Sequence, residues 1–163
     1  MPNLGRRVLP AIALFFAAGP TIAVQPAVRL ELQARLFYST SATFSNDVLA
    51  GDAPALFNVV ARDDPSTASL VTVAVRMAPG VALRSDAMLR LTARSAGRRG
   101  AAARTFVDRA LPVGDVASGG VTHVGFWLQG TGCRPVQLQA TLAIPGQPST
   151  LKAAATIPFD CGE

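Results

Sequence analysis

Histidine occurs once in this chain, at His123, and cysteine twice, at Cys133 and Cys161. A metal site built from several imidazoles is thereby excluded, and once both thiols are oxidised a structural zinc site has too few ligands. Any nucleophile–histidine pair has a single pivot. No G-x-S-x-G turn exists to present a serine to it, and no spacing marks a carboxylate to orient the imidazole. Paired acids held across a cleft, as glycoside hydrolysis needs, are not picked out either. His123 and Trp127, the only tryptophan, fall on one face of "VTHVGFWL" about 13 Å apart, too far to act on one small group together. The chain is therefore expected to be no enzyme and to hold no cofactor and no metal.

Long apolar runs are also missing. After Val28 none is long enough to cross a bilayer as a helix. Before it, "MPNLGRRVLPAIALFFAAGPTIA" has a basic head (Arg6, Arg7), an apolar run from Val8 to Ala18 and the small residues Thr21 and Ala23. This is the tripartite pattern of a secretory signal peptide over residues 1–23, with one domain expected over residues 24–163. Pro10, Gly19 and Pro20 interrupt the run, which argues against a retained membrane anchor. Lysine is almost absent: Lys152 stands alone beside 14 arginines and 29 alanines. Such a skew is what GC-rich coding produces and points to a bacterial source. The pI of about 10.6 is thus first a mark of arginine usage and only second a binding signal.

What is present is alternation. "VRLELQARLFY" from Val28 sets Val28, Leu30, Leu32, Ala34, Leu36 and Tyr38 on one side and polar residues on the other. Further strand segments are "ALFNVVA" (55–61), "SLVTVAVRM", "MLRLTAR", "RTFVDRA" and "VTHVGFWL", all separated by turn-forming stretches. "VQLQATLAI" and "LKAAATIPF", joined by "PGQPST", complete the set as an antiparallel hairpin. About eight strands and no helix predict an all-β antiparallel sandwich, immunoglobulin-like in the broad sense.

Export makes a disulfide between Cys133 and Cys161 the expected state. A turn centred on Gln147 sets these two cysteines opposite each other. Matching the apolar faces, Leu138 to Ala155, requires a register one residue different. A bulge near Pro135 or Pro158 would reconcile them, and the disulfide would fasten the last strand to the one before it.

One cluster invites a binding role. Arg90, Arg94, Arg98, Arg99 and Arg104 fall in "MLRLTARSAGRRGAAARTFVDRA", which reads as a hairpin with Arg98 and Arg99 at its tip and Arg104 brought near Arg90 and Arg94. Guanidinium groups in such a patch would grip carboxylate, sulfate or phosphate. No aromatic residues interleave to stack bases, so nucleic acid is not the expected partner. Asn46, Asp47, Asp52, Asp63 and Asp64 sit in two loops that could converge on calcium, but they lack the spacing of a calcium loop, and turn chemistry accounts for them. The expectation is a periplasmic or secreted interaction protein that binds another envelope protein through loops or a sheet edge. The alternative is recognition of an anionic glycan or lipopolysaccharide by the arginine hairpin.

Overall fold

Burial follows the alternation most cleanly over residues 88–95 and 136–143. The computed structural model describes residues 27–95 and 102–161, and within them every regular element is a β-strand. The expected leader and the hairpin tip with Arg98 and Arg99 lie outside the described residues. In chain order the strands are β1 (Val28–Tyr38), β2 (Thr43–Phe44), β3 (Leu56–Phe57), β4 (Ala68–Met77), β5 (Met88–Ser95), β6 (Arg104–Pro112), β7 (Val121–Gln129), β8 (Val136–Ala143), β9 (Leu151–Ile157) and β10 (Phe159–Asp160). Two four-stranded antiparallel sheets, β2-β1-β4-β7 and β6-β5-β8-β9, stack face to face, and β10 pairs in parallel with β3.

The chain is an all-β sandwich. Its seven long strands have the immunoglobulin-like arrangement: β1, β4 and β7 stand as strands A, B and E, and β5, β8 and β9 as C, F and G, with β6 added beside β5. Leu36, Val71, Val73, Val75 and Leu128 of the first sheet are fully buried against Leu89, Leu91, Leu138, Leu142 and Ile157 of the second. Each such side chain removed from water contributes roughly 1.5–3 kcal/mol, so the inner faces hold the layers together.

Two expectations change in detail. Of the predicted strand 55–61 only Leu56–Phe57 is extended, because Asn58 turns the chain with a positive φ of 50° and donates its N–H to Asp160 O at 2.7 Å. The β8–β9 hairpin takes the register its apolar faces require, Leu138 opposite Ala155, and the ladder ends at Val136 opposite Ile157. The irregularity falls at Pro158, which has no N–H to donate. Beyond it the chain leaves β8 and lies against β3, with Phe159 opposite Leu56. Cys161 then bonds Cys133, with the Cα atoms 4.5 Å apart. The disulfide is the expected one, but it fastens β10 to the β7–β8 connection instead of closing the β8–β9 ladder.

That connection is itself pinned. Thr131 donates its N–H to Thr67 O at 2.8 Å, and its buried hydroxyl meets that of Ser69 at 3.0 Å. Gly132 has φ +120°, and a Cβ there would lie 2.5 Å from Val60 Cγ1. Gly132→Ala should therefore cost about 1–3 kcal/mol in urea unfolding, with part recovered by a second change, Val60→Ala. Replacing both cysteines by serine should cost about 3.5 kcal/mol for a bridge spanning 28 residues. Hydrogen exchange should then show β3 and β10 opening before either large sheet does.

Candidate functional site

Strand alternation turns Arg90, Thr92 and Arg94 of β5 to the outer face of the second sheet. Asp108 on β6 lies opposite Thr92 and so between the two arginines. Arg90 donates to its carboxylate from Nε at 2.7 Å and from Nη2 at 2.9 Å, and the Thr92 hydroxyl donates at 3.3 Å. Arg94 Nη2 stands farther away, 3.9 Å from Asp108 Oδ2. The Arg90 hydrogen bonds are the main reason Asp108 ionises below the usual carboxylate range. Partial desolvation opposes them, and the Arg90 charge, the Thr92 hydroxyl and the Arg94 charge add to the lowering. Arg90 is correspondingly raised. All three charged groups are solvent-exposed, so the cluster adds little to stability and more to the local field.

Arg104 does not join them. Between Ala93 and Arg94 the β5–β6 register shifts, so that Ala93 faces Val107 while Arg94 faces Thr105, and Phe106 is the extra residue. One extra residue reverses the phase of the strand beyond it. Arg104 is thus paired with the buried Ser95, and its guanidinium reaches the far end of β7, donating to Gly130 O at 3.4 Å and Gln129 O at 3.5 Å. It also lies 4.8 Å above the Phe106 ring. Of the five arginines singled out from sequence, the structure brings Arg90 and Arg94 together, sends Arg104 elsewhere, and does not describe Arg98 and Arg99.

The neighbours of Arg94 are nonlocal. On β8, Gln137, Gln139 and Thr141 stand opposite Arg94, Thr92 and Arg90, and on β9 they are followed by Thr156, Ala154 and Lys152. A shallow concavity of about 480 Å³ opens over Thr92, Arg94, Gln137, Gln139, Ala154 and Thr156. Sequence reasoning missed it. The alternation assigned each residue a face, but nothing in β5 names β8 as its neighbour.

The outer face of the first sheet is different in kind. Phe37 of β1 pairs with Phe44 of β2, and on its other side faces the small Ala68 of β4. Its ring centroid lies 5.3 Å from that of Phe44 and 5.6 Å from that of Trp127 on β7, while Phe44 and Trp127 are 6.1 Å apart, edge to face. Phe44 remains 46% and Trp127 40% exposed. Half-buried Leu70, opposite Trp127, extends the patch. The one available signal was Phe37 and Trp127 occupying the polar phase of their strands.

His123 sits on this outer face opposite Ala74, exposed and, among the described residues, without a hydrogen bond or ion pair. Two of the loop carboxylates have backbone tasks: Asp47 accepts from the N–H groups of Ala34 and Leu49 at 2.9 and 3.0 Å, and Asp64 from that of Thr40 at 3.2 Å. Asn46, Asp47 and Asp52 line one cleft, Asp63 and Asp64 another. Among the described residues no three acid, histidine or cysteine side chains gather to hold a metal ion. No helix among them is long and apolar enough to cross a membrane. No protein-family model matches the chain, and no curated protein is similar to it.

Since its folded-state ionisation is lowered, the Asp108 cluster contributes above the ordinary carboxylate value of about 3.9, and that contribution is lost as pH falls through the lowered one. Carbon-detected NMR titration should place the Asp108 carboxyl below the ordinary value. Arg90→Gln should move it back up.

Proposed function

We propose that this protein is an exported, non-catalytic interaction module that docks an envelope partner protein through the Phe37–Phe44–Trp127 face. The aromatic trio carries the proposal. Large rings contribute most to protein interfaces when they anchor the centre of a contact, because they bury much area at small conformational cost. Here three rings meet at tilted and edge-to-face angles on an outer sheet surface, where burial against the protein's own core is not available to Phe44 or Trp127. An aromatic patch of this kind on an outer surface is a mark of interaction sites.

The geometry around the patch suits a protein partner. Trp127 lies on β7, at the edge of its sheet, so an occupant covering the rings also meets the free side of that strand. The two-residue β2 bounds the other end. Export is supported by the leader pattern at residues 1–23, and the Cys133–Cys161 bond is compatible with an oxidising compartment. The arginine usage fits a bacterial source, with the periplasm or the medium as destination.

Trp127 is the only tryptophan, so its fluorescence reports the proposed interface directly. Oxidised protein immobilised and exposed to host envelope extract should retain a defined protein through high salt. With that protein purified, indole emission should shift to the blue on binding, and Trp127→Ser or Phe44→Ser should weaken it at least tenfold while leaving the urea midpoint close to wild type. Arg94→Gln should leave it unchanged. Equal retention by wild type, Trp127→Ser and Phe44→Ser would overturn the proposal.

A further inference from the structure

The second sheet carries on its outer face an ordered array of polar side chains. Its three rungs read Arg90–Thr141–Lys152, Thr92–Gln139–Ala154 and Arg94–Gln137–Thr156 across β5, β8 and β9. Neighbouring strands lie about 4.8 Å apart and successive rungs about 6.7 Å. The array contains three cations, and among the described residues Asp108 beside it is the one acid in contact with them. Arg90 is occupied by that acid through two short hydrogen bonds, whereas Arg94 has only the 3.9 Å contact and Lys152 has none within the described residues. The side chains of Gln137, Gln139, Thr141 and Thr156 make no hydrogen bond within the described residues.

We infer that this face is a binding site for an acidic saccharide, with the Arg94 guanidinium taking the oxyanion and Gln137, Gln139 and Thr156 bonding the sugar hydroxyls. It lies on the sheet opposite the aromatic patch and stands whether or not that patch docks a protein. The observations select the ligand class in three steps. Three cations, Arg90, Arg94 and Lys152, against the single Asp108 carboxylate leave net positive charge that calls for an anion, and a guanidinium can bond two of its oxygens at once. The glutamine amides each offer donors and an acceptor, and the threonines hydroxyls; such mixed groups match the hydroxyls of a sugar better than a bare anion, which only accepts. Finally, Ala154 is the small member of the array. Its methyl forms a floor between Lys152 and Thr156, and the resulting concavity of about 480 Å³ is of the size of small-ligand sites.

Other occupants fit less well. A protein partner would want a large apolar anchor, and the outward residues of these three rungs include none beyond Ala154. A single-stranded nucleic acid would want aromatic rings to stack on, and those lie on the other sheet.

Nitrogen-15 NMR of the oxidised full chain tests the inference, because the side-chain amides of Gln137 and Gln139 report contact directly. The probes are trigalacturonate, its methyl-esterified neutral form, glucose 1-phosphate and inorganic phosphate. Trigalacturonate or glucose 1-phosphate, or both, should shift the two amides, more weakly as salt rises. The tighter of the two names the oxyanion as carboxylate or phosphate, and either order supports the site. Arg94→Gln should weaken binding about tenfold, the loss of one charge-assisted contact. Gln139→Ala should weaken it about threefold. Asp108→Asn, which frees Arg90 and removes the competing charge, should tighten it about threefold. All three positions are surface ones, and a thermal melt checks each fold. The inference is overturned if no probe moves the amides, if phosphate alone or the neutral ester binds as tightly as the acidic sugars, or if the Arg94 and Asp108 variants bind like wild type.

Discussion

Phase is the constraint on which the structure depends. Most of the long strands alternate with a period of two residues, and the sandwich depends on their presenting the apolar phase inward, while the edge strand β6 buries no residue fully. β4 shows how strict this is: Val71, Val73 and Val75 are fully buried, and its outward phase is shared with β1 and β7 rung by rung. Two interruptions of the ladders stand out among the described residues. One is the extra Phe106 opposite the Ala93–Arg94 step, the other Pro158 at the end of the last hairpin. The first falls on the edge strand β6; at the second the phase is kept, with Ile157 and Phe159 both buried on either side of the exposed Pro158.

These two places also divide what was legible in the sequence from what was not. Alternation from Val28 onward exposed the long strands and the β8–β9 register, since a half-buried strand has to write its two faces into consecutive residues. The disulfide partners followed from there being only two thiols. β3 is shorter than expected because "ALFNVVA" is apolar enough for a strand, while the turn at Asn58 depends on a hydrogen bond to Asp160, about a hundred residues on. The bulge at Phe106 left no local mark, and so the side of the sheet on which Arg104 would emerge could not be read. The rings of Phe37, Phe44 and Trp127 come from three strands, and their meeting depends on sheet order, which a single strand's pattern does not encode.

The two outer faces illustrate how a single scaffold separates chemistries. Both belong to residues that the core does not need, so their composition is free to differ. One gathers rings, the other amides, hydroxyls and cations. Because the apolar filling lies between them, a change on one face has no packed path of polar contacts to the other among the described residues, and substitutions on the two should act additively. Arg104 is the exception: from β6 it reaches the carbonyls of Gln129 and Gly130 at the end of β7 and ties an edge of one layer to an edge of the other.

The short parallel pair of β3 and β10 carries a kinetic consequence. A parallel pairing cannot be nucleated by a tight turn, and this one joins Leu56 to Phe159 across most of the described chain. Its loop-closure entropy falls only once the sheets between have folded and brought the ends close. The chain just after β2 is bonded to β1, Ser45 N–H to Leu36 O and Val48 N–H to Ala34 O, but β3 is expected to find its partner strand only after β8 and β9 have formed and Pro158 has turned the chain toward it. The pair is therefore expected to close late and to open early, a hinge of time more than of space.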